Sequence, residues 1–163
     1  MENIKNIENS KSNKLRIHPS ASIHPNAQLD DGVIVGQGAI IGPEVIIGSG
    51  TSVGPNSVVD GKTTLGKNNK IFPNVFLGLE PQDLKYKGAN TELIIGNDNT
   101  FRECVTINKA TNKGERTIIG NNNLMMAYSH IGHNCEIGNN IVLSNSVQVA
   151  GHVIIEDCAI VGG

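Results

Sequence analysis

The sequence predicts an all-β chain wound as a triangular parallel β-helix of about seven coils, with two excursion loops. The first observation is a period of six, because a bulky apolar residue recurs at nearly every sixth position from Ile17 onward. Hexapeptide repeats of a β-helix have this period, whereas a helix or an ordinary strand does not. The repeat fills 22 of 25 places in one register. These residues are Ile17, Ile23, Leu29, Val35, Ile41, Ile47, Val53, Val59, Leu65, Ile71, Leu77, Ile95, Phe101, Ile107, Ile119, Met125, Ile131, Ile137, Leu143, Val149, Ile155 and Val161.

The second observation is that small residues and turn formers keep the same register. Small side chains usually stand two residues before the bulky one, and on a strand both positions point inward. Glycine follows the bulky residue directly in 11 of the 22 repeats. Five of the six prolines stand two places after it, namely Pro19, Pro25, Pro43, Pro55 and Pro73. Gly, Asn and Pro are turn residues, so we expect a corner after every bulky residue.

Three faces form a coil of 18 residues, and 22 faces therefore form about seven coils. Two segments, 79–94 and 108–118, interrupt the repeat and are predicted to be loops that leave the coil. Residues 1–15 are predicted to be a polar, flexible tail, and residues 16–163 to be the β-helix.

Numbering the faces through both loops predicts that distant segments meet. The faces that end at Leu77, Ile107, Ile131 and Val149 are the eleventh, fourteenth, seventeenth and twentieth, so each lies one coil beyond the last. Their corners are therefore expected to stack along one edge of the prism. His133 and Gly151 lie 18 residues apart and both stand two places after a bulky residue, so that one should lie directly above the other.

This edge carries residues capable of acid–base chemistry. A neutral imidazole such as that of His133 can act as a general base near pH 7. Gly151 offers an unobstructed backbone N–H to an oxyanion. The first loop adds Asp83, Lys85 and Tyr86, which can hold hydroxyl and phosphate groups. The alternative is that these are ordinary polar side chains collected at solvated surface corners.

Composition favours an intracellular enzyme over several other classes. The net charge of −2 gives no reason to expect a nucleic-acid or membrane partner. No apolar stretch approaches the ~18 residues of a membrane span, and the N-terminal residues lack the apolar segment of a secretory signal. Three widely spaced cysteines fit neither a disulfide framework nor a CxxC metal site. Reduced thiols and a cytoplasmic location are therefore expected.

Four segments resemble the UDP-N-acetylglucosamine acyltransferase family: LEPQDLKYKG, FRECVTINKAT, IGNNNLMMAYSHIGHNC and VAGHVIIEDCAIVGG. The resemblance implies a left-handed β-helix and a homotrimer with its sites between neighbouring prisms. It also implies transfer of a 3-hydroxyacyl chain from acyl carrier protein to the 3-hydroxyl of UDP-N-acetylglucosamine, the first step of lipid A synthesis. No metal or cofactor is implied.

The resemblance also assigns roles to individual residues. His133 matches the general base and Gly151 the oxyanion donor. Asn134 stands where the best-known members have an Asp that orients the base, and Asn108 stands where many members have His. The positions that match substrate contacts are Gln82, Asp83, Lys85, Asn108, His130 and His152.

Other interpretations remain open at this stage. The family continues with further coils and a helical domain, whereas this sequence ends in mid-repeat, so we expect a fragment or a shortened chain and no turnover by it alone. A non-catalytic trimeric scaffold would explain the same fold. Another sugar acetyltransferase of the hexapeptide class is a further possibility. A zinc carbonic anhydrase of this class would use three histidines, for which His130, His133 and His152 are the candidates.

Overall fold

The computed structural model describes residues 14–163, and these residues form 22 short strands without a helix. No helix in this part of the chain could therefore cross a membrane. The strands are β1 (Arg16–Ile17), β2 (Ser22–Ile23), β3 (Gln28–Leu29), β4 (Ile34–Val35), β5 (Ile40–Ile41), β6 (Val45–Ile47), β7 (Ser52–Val53), β8 (Val58–Val59), β9 (Lys62–Leu65), β10 (Lys70–Ile71), β11 (Phe76–Leu79), β12 (Glu92–Ile95), β13 (Thr100–Phe101), β14 (Thr106–Asn108), β15 (Arg116–Ile119), β16 (Leu124–Met125), β17 (His130–Ile131), β18 (Glu136–Ile137), β19 (Val142–Leu143), β20 (Gln148–Val149), β21 (Ile154–Ile155) and β22 (Ile160–Val161). The predicted N-terminal tail falls almost wholly on residues 1–13, which lie outside the described residues.

Every third strand pairs in parallel, and this pairing builds three flat sheets of eight, seven and seven strands. The register is 18 residues wherever no loop intervenes, as in the pairing of Ile17 with Val35 and of Ile23 with Ile41. The predicted triangular β-helix is therefore confirmed, and each of the 22 predicted bulky residues lies in its own strand.

The bulky residues and their partners two places earlier form a single core along the prism axis. From Val35 to Val149, all the bulky residues of the repeat are buried. The residues at both ends of the prism are less covered, and Ile17 is 46% exposed. Small inward residues such as Ala39, Ser57 and Cys135 are buried beside them, as the even spacing predicts.

The corners depart in one respect from what the sequence suggests. Positive φ falls on the third residue after the bulky one, as at Asn56 (φ 56°) and Asn134 (φ 60°), where Asn tolerates the left-handed region. The glycine directly after the bulky residue is required for space instead. At Gly54, a Cβ would lie 2.6 Å from the backbone carbon of Phe72 in the next coil. Close stacking of coils therefore selects this glycine, and backbone freedom does not.

Both excursion loops are shorter than predicted. Strands β11 and β14 run to Leu79 and Asn108, and strands β12 and β15 already begin at Glu92 and Arg116. The loops therefore comprise only 80–91 and 109–115. The predicted bounds were wrong because the four-residue strands β12 and β15 pair along their whole length, which extends the sheet beyond the hexad. Each loop returns to the next face, so the face numbering holds.

Candidate active site

Four strands bring the candidate residues to one edge of the prism. Strands β11, β14, β17 and β20 are consecutive neighbours in one sheet, and Leu77, Ile107, Ile131 and Val149 are stacked register partners. The loop 80–91, the loop 109–115, the corner after β17 and the corner after β20 therefore follow one another along this edge. This edge, which we call the loop edge, is the column that the face numbering predicts.

His133 lies directly against Gly151. A Cβ built on Gly151 would lie 2.6 Å from both Cε1 and Nε2 of the His133 ring. The imidazole therefore occupies the space that a side chain at position 151 would need. Position 151 corresponds to the proline position of other corners, where no N–H is required. Among the described residues, the Gly151 N–H has no hydrogen-bond partner, so it is free to donate to a bound group.

Three groups surround the His133 ring. Its Nδ1 lies 2.9 Å from Oδ1 of Asn134, the residue predicted to orient the base. Its Nε2 lies 3.7 Å from Oδ2 of Asp83 in the first loop. The His152 ring packs edge-on at 5.1 Å between ring centroids. The side chains of His133 and Asp83 are 17% and 19% exposed, so this pair is partly shielded yet open to a ligand.

Asp83 is held as a carboxylate. The Lys85 N–H donates to Asp83 Oδ1 at 2.9 Å, and the Tyr86 N–H donates to the Asp83 carbonyl at 3.0 Å. The hydrogen bond from Lys85 lowers the pKa of Asp83 below its ordinary value, and the charge of a protonated His133 adds to this effect. A negative charge therefore faces Nε2 of His133 at neutral pH.

His130 points away from the core on β17 and is half-buried. Its Nδ1 lies 2.7 Å from Oγ1 of Thr106 on the preceding coil. Burial lowers the pKa of His130, and the nearby His133 lowers it further. The ring is therefore neutral near pH 7 and can serve as a hydrogen-bonding group beside His133.

The remaining predicted contacts lie on the same edge. Gln82 and Lys85 are exposed on the first loop, and His152 is exposed at the corner after β20. Asn108 is only 6% exposed, and its Nδ2 donates to the carbonyl of Glu80 at 3.1 Å. Its Oδ1 is buried without a hydrogen-bond partner, so this oxygen is available to a hydroxyl or amide donor.

Sequence reasoning missed the polar residues that support Asn134. The Thr111 N–H donates to Asn134 Oδ1 at 3.1 Å, and Asn134 Nδ2 donates to Glu115 Oε2 at 2.6 Å. The Asn134 N–H donates to Thr117 Oγ1 at 2.9 Å. All three partners lie in the second loop or directly after it. The signal that could have identified them is that this loop leaves the same edge as His133.

The zinc interpretation finds no support in the geometry. Within residues 14–163, no three His, Cys, Asp or Glu side chains converge as metal ligands would. His130 is instead bonded to Thr106, while His133 is bonded to Asn134.

Comparisons with known proteins agree with this architecture. The bacterial transferase hexapeptide (six repeats) family matches residues 116–149. The chain is 53% identical over 148 residues to an acyl-[acyl-carrier-protein]--UDP-N-acetylglucosamine O-acyltransferase of Herminiimonas arsenicoxydans, covering 90% of this chain and 56% of that one. It is 52% identical over 152 residues to the enzyme of the same name from Stenotrophomonas maltophilia strain K279a, covering 93% and 58%. A crystal structure of UDP-N-acetylglucosamine acyltransferase superposes with a TM-score of 0.89 at 44% identity, covering 91% and 57%.

The fold and the loop edge together define a hexapeptide-repeat transferase with a left-handed parallel β-helix. Within that class, the chain belongs to the UDP-N-acetylglucosamine acyltransferase family. It spans somewhat more than half the length of these relatives.

Proposed function

We propose that this chain carries the catalytic β-helix of an acyltransferase that uses acyl carrier protein and UDP-N-acetylglucosamine. The reaction is transfer of a 3-hydroxyacyl chain to the 3-hydroxyl of the sugar, the first step of lipid A biosynthesis. The observation that carries the proposal is the stacking of the His133 ring on Gly151, beside a loop carboxylate. The names of relatives at about 50% identity point to the same substrates.

His133 is the proposed general base. Because its Nδ1 faces the acceptor oxygen of Asn134, the neutral ring carries its proton on Nδ1 and its lone pair on Nε2. Nε2 takes the proton from the sugar hydroxyl as the hydroxyl oxygen attacks the thioester carbonyl carbon. The imidazolium that forms is stabilised by the Asp83 carboxylate, 3.7 Å from Nε2 in the free protein.

The Gly151 N–H is the proposed oxyanion donor. Attack on the thioester produces a tetrahedral intermediate with a negative oxygen, and a fixed backbone N–H stabilises such an oxygen more than the ground-state carbonyl. The intermediate collapses when the carbon–sulfur bond breaks. The carrier thiolate leaves and receives the proton that His133 removed, so that base and acid are the same residue.

The remaining polar groups along the loop edge are proposed to hold the acceptor. Asp83 accepts hydrogen bonds from sugar hydroxyls, and the exposed Lys85 is suited to phosphate. The unpartnered Oδ1 of Asn108 accepts from a hydroxyl or amide of the substrate. Further proposed contacts come from Gln82, His130 and His152.

The proposed assembly is a homotrimer and the proposed compartment is the cytoplasm. A site exposed along an edge suits closure by a neighbouring prism, because the edge alone provides no enclosed pocket. The thiols of Cys104, Cys135 and Cys158 are all free, which fits a reducing compartment.

The test is a single-turnover assay with the chain in excess over 3-hydroxyacyl carrier protein and with saturating UDP-N-acetylglucosamine. Mass spectrometry then measures the acylated sugar nucleotide. We expect product from the wild-type chain and a loss of about 10²–10⁴-fold in rate in His133→Ala, the range for removal of a general base. The matched control is His24→Ala, which removes an exposed corner histidine of another coil.

Two outcomes would reject the proposal. One is the absence of product from the wild-type chain even when enzyme is in excess. The other is product formed equally fast by the wild type and His133→Ala. Either result would favour the non-catalytic scaffold.

A further inference from the structure

An amide stands beside the proposed base where a carboxylate would stabilise the imidazolium better. Asn134 Oδ1 lies 2.9 Å from His133 Nδ1, and a neutral amide oxygen is a weaker acceptor than a carboxylate oxygen. The amide is not isolated, however. Its Nδ2 donates to Glu115 Oε2 at 2.6 Å, which is a charge-assisted hydrogen bond.

The orientation of this amide is fixed from both ends. The Thr111 N–H can only donate, so the Asn134 atom that faces it at 3.1 Å is the oxygen. The Glu115 carboxylate can only accept, so the atom that faces it is the NH₂ group. Since Oδ1 also faces His133 Nδ1, that nitrogen must carry a proton.

We propose that Glu115 is a positioning residue for His133 and supplies, through Asn134, the negative charge that the residue next to the base lacks. The proposal rests on the acyl-transfer function above. A hydrogen bond to a carboxylate polarises the amide that donates it, and the Asn134 oxygen thereby becomes a stronger acceptor for the imidazolium. His133, Asn134 and Glu115 thus form a chain of base, amide and carboxylate.

Glu115 is held in the charged form that this role requires. The hydrogen bond from Asn134 lowers the pKa of Glu115 below its ordinary value, and the Asn112 N–H lowers it further. The N–H and the Nδ2 of Asn112 both lie 3.1 Å from the same oxygen, Oε2. Three donors therefore fix one oxygen of a half-buried carboxylate at the end of the second loop.

A purely structural role predicts a different result from the same substitution. In Glu115→Gln, the side chain keeps its shape, and its amide oxygen can still accept from Asn134 Nδ2. A role in holding the loop would therefore survive this change, whereas a role that depends on charge would not. We expect kcat to fall about tenfold with KM for UDP-N-acetylglucosamine unchanged, which is the order of effect for a residue that orients a site ligand.

The rescue variant exchanges the two functional groups. In the double variant Asn134→Asp with Glu115→Gln, the carboxylate lies beside His133, and the new side-chain amide at position 115 can donate to it. We expect kcat to return to within about twofold of the wild type. Asn134→Asp alone sets two carboxylates against each other, so we expect it to be slower than the double variant.

The control is Glu103→Gln, which removes a carboxylate at a corner of a different edge, where it pairs with Arg102. We expect this control to retain wild-type kcat. Wild-type kcat in Glu115→Gln, or a double variant no faster than Glu115→Gln, would overturn the proposal.

A spectroscopic measurement separates this inference from the proposed function. In the wild-type chain labelled with ¹⁵N-histidine, we expect a slowly exchanging, downfield Nδ1–H resonance of His133 that moves upfield in Glu115→Gln. This readout requires no turnover, so it tests the chain of hydrogen bonds even if the acyltransferase assay fails. A His133 ring protonated on Nε2 alone, or a resonance that does not move in the variant, would overturn the inference.

Discussion

At the scale of single residues, the account depends on a glycine that leaves room for a ring. We predict that Gly151→Ala lowers kcat by about 10²-fold, because the added Cβ would lie 2.6 Å from two atoms of His133 and must displace the imidazole. The effect concerns a surface corner, so the melting temperature should change little. Steady-state kinetics and thermal unfolding measure the two quantities.

The matched control for this substitution is Gly162→Ala, where an added Cβ meets no atom within 4 Å. We expect that variant to behave as the wild type in both measurements. Equal kinetic losses in the two variants would show that alanine acts through general destabilisation and not through the His133 ring.

The sequence predicts the pairing of His133 with Gly151 because both are fixed by one period of 18. It does not predict the contact of Asn134 with Glu115. That contact depends on how the loop 109–115 bends back over the corner after β17, and this path has no period. The repeat therefore predicts residues on the coil well and residues on the loops poorly.

At the scale of elements, three buried asparagines at corners of one edge form a ladder inside the prism. Asn99 Nδ2 donates to Asn69 Oδ1 at 3.0 Å, and the Asn123 N–H donates to Asn99 Oδ1 at 2.9 Å. These asparagines stand two places before β10, β13 and β16 end, where the sequence pattern led us to expect small residues. Polar residues fit there because each amide satisfies buried groups of the neighbouring coils.

We predict that Asn99→Ala lowers the free energy of unfolding by about 1–3 kcal/mol, because the buried Asn123 N–H loses its acceptor. Urea denaturation measures the loss, with the slope m unchanged. The exposed Asn97 makes the equivalent contacts on the outside of the same corner. Its replacement by Ala should cost much less, and an equal cost would contradict the role of burial.

The pair of Lys62 and Glu92 links strands β9 and β12 at 2.6 Å. The hydrogen bond from Lys62 lowers the pKa of Glu92 below its ordinary value of 4.5. A lowered pKa in the folded state stabilises the fold above pH 4.5, and the contribution disappears as the pH falls through the folded-state pKa. The pair is partly exposed, so the stabilisation should remain below about 1 kcal/mol.

We therefore predict that Glu92→Gln lowers the free energy of unfolding by a constant amount above pH 4.5, and that the difference from the wild type shrinks towards zero below it. Denaturation at a series of pH values measures this dependence. Glu136→Gln is the control on the same sheet, since Glu136 has no ion-pair partner among residues 14–163. A difference that grows as the pH falls would contradict the assignment.

At the scale of the whole molecule, the prism was predictable because its period dictates three faces, 22 strands and the order of the sheets. The ends of the loops were not, since strand pairing beyond the hexad is decided by the neighbouring coils, as at Glu92 and Arg116. The hexads also leave open how copies of the chain associate.

We predict that the chain is a homotrimer of about 52 kDa, three times its 17.3 kDa. Sedimentation equilibrium measures the mass without reference to shape. A monomeric mass at micromolar concentration would contradict a site that a neighbouring prism completes.

The most direct test of the central claim is a crystal structure of the chain with UDP-N-acetylglucosamine. The account predicts that the sugar lies on the loop edge, with its 3-hydroxyl within about 3 Å of His133 Nε2 and a second hydroxyl on Asp83. A sugar nucleotide bound at another edge of the prism, or with its hydroxyls turned away from His133, would contradict it.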